Sequence, residues 1–148
     1  MMKHALLVGS VLVLAAALFL LWSMGVFETS ARHPSYYGFV YMYPKLCCVE
    51  LTTDGHYSVL FYSRLEVPVE IISASATIEG GQGACQLTTD KQEIHAATDF
   101  WLKGACRENL PATAETGGFY RMTTRIKYRK NGEQATLQDK GDIYYLYQ

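Results

Sequence analysis

From Ala5 to Phe27 the chain carries no charge, and 19 of these 23 residues are apolar. As a helix rising about 1.5 Å per residue, this run reaches about 34 Å, enough for a hydrocarbon core of about 30 Å. Trp22 falls near its far end, where an indole suits the headgroup zone. The rival reading is a secretory signal, with Lys3 as its basic flank and Thr29-Ser30-Ala31 as a small-residue cleavage site. A signal core usually runs about 7–15 residues, so the unbroken length favours a retained anchor. Both readings export the rest of the chain. Lys3 and the amino terminus favour a cytoplasmic N-terminus in a single-pass cell-membrane protein, with the remainder outside.

Beyond residue 27 the pattern changes. Residues 28–37 read as a polar spacer containing Pro34, and residues 38–148 as one extracytoplasmic domain. Strand signals recur at about 8–12-residue intervals, the spacing of an all-β sandwich or barrel. Residues 38–43 (GFVYMY) and 46–51 (LCCVEL) are short β-rich runs separated by Pro44-Lys45. Asp54-Gly55 predicts a two-residue type I′ hairpin into 56–63 (HYSVLFYS). Residues 67–79 read as a strand with a break near Ser73, Ala74 and Ser75; the 80–83 glycines read as a loop. Residues 84–88 and 100–103 are shorter candidates.

Residues 119–128 (FYRMTTRIKY) give the clearest alternation. Arg121, Thr123, Arg125 and Lys127 share one face; Tyr120, Met122, Thr124, Ile126 and Tyr128 share the other, a period of two with one face wet. Asn131-Gly132 predicts a second hairpin, leading into 133–137. Gly141 then opens a last strand, 142–148 (DIYYLYQ). No helical periodicity appears after Phe27.

All 4 cysteines, Cys47, Cys48, Cys85 and Cys106, fall in the exported part, where an even count reads as disulfides. Cys85–Cys106 is favoured, since each follows Gly-Ala at the edge of a β run. The crossed pairings with Cys47 and Cys48 stay open. On a regular strand those two neighbours point to opposite faces and cannot bridge each other without strain. They remain candidates for buried thiols, a redox pair or an intermolecular link.

With 13 basic against 14 acidic residues, the net charge of -1 argues against nucleic acid as a partner. Closed zinc spacing is absent, His33, His56 and His95 stand alone, and no nucleotide or hydrolase motif occurs, so no cofactor, metal or catalytic residue is expected. Two surfaces are candidates for binding. The stretch from Arg121 to Lys130 has five positive charges and no acid; its bland reading is a solvated strand face, and its functional one an anionic partner contacted by Arg121, Arg125 and Lys127. The closing run with Tyr144, Tyr145 and Tyr147 would add a strand to a neighbouring chain if it lay at a sheet edge, against the simpler reading that it pairs inside its own sheet.

The layout resembles small archaeal membrane-anchored surface proteins, pilin-like ones among them. Gly83-Ala84-Cys85, Gly104-Ala105-Cys106, Gly118-Phe119-Tyr120 with Ile126-Lys127-Tyr128, and Gly141-Asp142-Ile143 carry that resemblance. It implies an immunoglobulin-like antiparallel β-sandwich after one N-terminal transmembrane helix. Pilin precursors carry a charged leader and a glycine cleavage position, which Met1 to His4 lacks. The expected function is a non-catalytic surface β domain held in the lipid bilayer through Ala5 to Phe27, acting in assembly, adhesion or a filament with other protein subunits. Alternatives are an accessory single-helix subunit of a membrane complex and a small exported enzyme or ligand binder.

Overall fold

The structure, a computed structural model, describes residues 2–23 and 34–148, with side chains for 8–23 and 34–148. The chain forms two compact units, residues 1–32 and 33–148. The first holds helix α1 (Met2–Ser23). Every side chain described on it is exposed, including Leu12, Phe19 and Trp22. Residues 8–23 reach about 24 Å at about 1.5 Å per residue, and among the described residues no helix is long and apolar enough to cross a membrane. The span expected from Ala5 to Phe27 continues past Ser23 into residues outside the description.

The second unit is antiparallel β structure, a nearly closed sandwich or barrel. Its strands are β1 (Ser35–Tyr37), β2 (Met42–Leu51), β3 (His56–Ser63), β4 (Val69–Ile78), β5 (Cys85–Thr89), β6 (Glu93–Ile94), β7 (Asp99–Ala105), β8 (Phe119–Lys130) and β9 (Leu137–Leu146). Neighbours run β1-β9-β8-β4-β5-β7-β3-β2, with β6 on β4. Strand β5 pairs with β4 on one side and β7 on the other, which joins the two sheets. The inward residues of β8 are all buried, and Tyr57 of β3 meets Thr124 there, hydroxyl to hydroxyl at 3.2 Å. Burial holds the Tyr57 phenol well above its usual range.

The gap between β2 and β9 is bridged by a carboxylate. Asp139, 3% exposed, accepts the backbone N–H groups of Val40, Tyr41 and Met42, the last two at 2.8 and 2.7 Å. A buried charge is tolerable only with such partners. The chain end closes the other part of the gap: Gln148 donates its N–H to Leu51 and accepts from Thr53.

Several expected boundaries shift. Ser35–Tyr37, read as spacer, is a strand on Asp142–Tyr144 of β9. It covers backbone groups that would otherwise form a free edge. The final strand therefore begins at Leu137, not after Gly141, and residues 133–136 form no strand. Gly141 lies inside it because the ring of Phe39 occupies the space a Cβ would need. The Asp54-Gly55 turn is also not type I′. Only Gly55 has a positive φ, the Gly55 N–H closes back on the Thr52 carbonyl, and a Cβ there would strike the Arg107 backbone.

The four cysteines form two bridges. Cys85 and Cys106 are joined with Cα atoms 5.2 Å apart, both buried in the core. Cys47 is joined to Cys48, contrary to the expectation from strand alternation. Between the pairs Pro44↔Phe61 and Val49↔Val59, β2 advances five residues while β3 advances two. The two cysteines sit in this bulge, where the rule of opposite faces does not apply.

Candidate functional site

Strands β5, β4, β8 and β9 present one continuous outer face, and the register sets its rows. Across one row run Gln86, Ser75, Arg125 and Lys140; across the next run Ser73, Lys127 and Gln138. These seven side chains line a shallow groove of about 350 Å³. Arg125, Lys127 and Lys140 are exposed, and none of the three forms an ion pair among the described residues. No carboxylate lines the groove. Arg125 stands directly opposite Lys140. Like charges in that position destabilise a sheet. The serines and glutamines around them supply neutral hydrogen-bonding groups, so the groove suits carboxylate or other oxyanion groups laid across the strands.

Arg121 does not belong to this groove. Its guanidinium donates to Asp142 at 2.8 Å and lies 5.6 Å from the centre of the Tyr144 ring. Thr123 donates to the other carboxylate oxygen at 2.7 Å. The Thr123 hydroxyl, and then Arg121, hold the Asp142 carboxyl below its usual range, while Asp142 holds the Arg121 guanidinium above its own. This end of the face is electrically satisfied.

The three tyrosines separate. Tyr144 is outward beside Arg121, Tyr145 is half-buried, and Tyr147 is 4% exposed with its ring 5.1 Å from that of Tyr120. The Tyr147 backbone exchanges hydrogen bonds with Gly117 and Gly118. Strand β9 also has neighbours on both sides. Strand addition through Tyr144, Tyr145 and Tyr147 therefore lacks a free edge. Of the six candidates, Arg121 and Tyr144 meet beside Asp142, and only Arg125 and Lys127 share the groove, to which the structure adds Lys140, Ser73, Ser75, Gln86 and Gln138. Tracing β9 through Leu137 from the Asn131-Gly132 turn would have put Lys140 on the outer face.

The exposed bridge of Cys47 and Cys48 borders a second, smaller cleft of about 210 Å³ with Leu46, Trp101 and Tyr145. Among the described residues no cluster of three or more His, Cys, Asp or Glu is arranged to hold a metal ion. No family model matches the chain, and neither a curated protein nor a solved structure matches it.

Proposed function

We propose that this chain is a non-catalytic, membrane-anchored surface β-domain protein that acts in assembly, docking an acidic protein surface on the groove of Arg125, Lys127 and Lys140. The carrying observation is Arg125 held opposite Lys140 with no carboxylate in the groove. A surface serving only the fold would place opposite charges there, as the Arg121 end does. No apolar side chain lines the groove, and its three cations fall short of the clusters of about 4–8 that read as lipid-binding. Both points favour an acidic protein over a lipid surface. Anchoring is supported by the uncharged run from Ala5 to Phe27 and by the apolar side chains exposed around α1, a composition suited to a bilayer. The immunoglobulin-like form of the sandwich belongs to the same proposal and is supported by the antiparallel strands and the buried Cys85–Cys106 bridge.

The test uses the full chain extracted from its own membrane in mild detergent, with particle mass measured at low and high salt. The wild type is expected in a particle several times its own mass, which dissociates as salt screens the contact. Arg125→Glu with Lys127→Glu should run as the monomer with unchanged circular dichroism. The same particle mass for both proteins overturns the proposal. So does a variant that keeps its particle but loses anionic phospholipid that co-purifies with the wild type, which would assign the groove to lipid headgroups.

A further inference from the structure

The two disulfides differ in every property that decides what a bridge can do. Cys85 and Cys106 are 2% and 0% exposed, and their bond spans 21 residues of chain. A bond closing a loop of that length takes much conformational freedom from the unfolded chain. Cys47 and Cys48 are neighbours, so their bond closes no loop and restricts the unfolded chain hardly at all. It also joins no two strands, because both residues lie in one bulge of β2 where the ladder to β3 is interrupted. Opening it removes no connection between elements of the sheet. Cys47 is exposed and Cys48 half-exposed, at the rim of the cleft beside Leu46 and Trp101. Attack on a disulfide needs access to a sulfur, and here there is access.

We infer that Cys47–Cys48 is a thiol–disulfide exchange site, opened and closed by a dithiol donor while the β domain stays folded. A donor thiolate attacks Sγ of Cys47, the more exposed residue. A donor–Cys47 bond forms, the Cys47–Cys48 bond breaks, and the sulfur of Cys48 leaves as a thiolate, in equilibrium with its thiol through proton exchange with water. The adjacent Cys48 thiolate is then placed to attack the mixed disulfide and expel the donor, returning the bridge. A single thiol is turned back in this way. A second thiol on the donor completes the reaction by attacking the donor's own sulfur, which releases Cys47 as a thiol. The donor ends as a disulfide, two electrons and two protons pass to the cysteine pair, and the reverse reaction restores the bridge. The inference rests on the bulge and on exposure, and is independent of the basic groove.

The experiment equilibrates the full chain with graded dithiothreitol, a small dithiol, then quenches, alkylates and maps the thiols by peptide mass. Cys47 and Cys48 should alkylate at a concentration at least about tenfold below that required for Cys85 and Cys106. Circular dichroism should not change across that first step, and removing dithiothreitol in air should restore the bridge. At matched thiol concentration, 2-mercaptoethanol should open the pair less. Both bridges opening together, unfolding with the first step, or free Cys47 and Cys48 before any reductant would each overturn the inference. A Cys47→Ser, Cys48→Ser variant supplies the second measurement. It should fold and leave the reduction of Cys85 and Cys106 unchanged; failure to fold would assign the bridge a structural role and contradict the inference.

Discussion

On the outer face of β8 and β9, Asp142 lies opposite Thr123, and two residues along each strand Lys140 lies opposite Arg125. At the first position a carboxylate is shared between Arg121 and Thr123 at 2.8 and 2.7 Å. At the second, two cations face each other with Lys127 nearby and no acid lining the groove. The backbone is the same antiparallel ladder in both places, so the strands do not force the difference. The Asp142 end pairs its charges within the domain, whereas Arg125, Lys127 and Lys140 form no ion pair among the described residues. One short segment makes the contrast sharper still. Asp139, beside Lys140 but on the inner face, accepts the backbone N–H groups of Val40, Tyr41 and Met42 and that of Lys140.

Breaking the inner element should have the largest effect. Asp139→Ala leaves those N–H groups without their acceptor at the seam between β2 and β9. It should lower the unfolding free energy by about 3 kcal/mol in urea titration. Asp139→Asn, which keeps one acceptor oxygen, should lose less. Equal stability of Asp139→Ala and wild type would remove the seam from this account.

A smaller effect is expected at the satisfied end of the outer face. The Asp142 carboxyl is held below its usual range in the folded state. Its contribution is therefore complete above the unfolded carboxylate value of about 3.9 and is lost as pH falls through the lower, folded value. Because Arg121 is 45% exposed, solvent screens the pair and its contribution should be small. Stability measured from neutral pH downward should fall less below pH 4 for Asp142→Asn than for wild type. Parallel curves would show that the pair contributes nothing to folding.

The same residues show what was legible in the sequence. Strand β8 was readable because its two faces differ at every step, Arg121 and Arg125 against Met122 and Ile126. Strand β9 was obscured because its inward positions include Asp139 and Gly141, a carboxylate and a residue without a side chain, so the apolar signal breaks off between Leu137 and Ile143. Asp139 is inward to bind backbone and Gly141 to admit the Phe39 ring. Both reasons are tertiary, and no local pattern announces them. Missing the early half of β9 meant missing Lys140, and with it the pairing that turns Arg125 from a solvated strand residue into part of a groove. The bridge of Cys47 and Cys48 was hidden for a related reason: alternation forbids it, and only the bulge, set by pairing with β3, suspends alternation. The strand-addition reading of Tyr144, Tyr145 and Tyr147 failed because β1 lay within residues read as a spacer.

The most direct test of the claim that the groove serves a partner at the expense of the fold is Lys140→Glu, measured twice on one preparation. The substitution places a carboxylate opposite Arg125, the arrangement a self-sufficient sheet would have. The domain should become more stable by about 0.2–1 kcal/mol in urea titration, while the particle isolated in mild detergent dissociates to the monomer. A less stable domain would show that Arg125 and Lys140 do not oppose each other as described. A particle of undiminished mass would show that the groove is not where the partner binds.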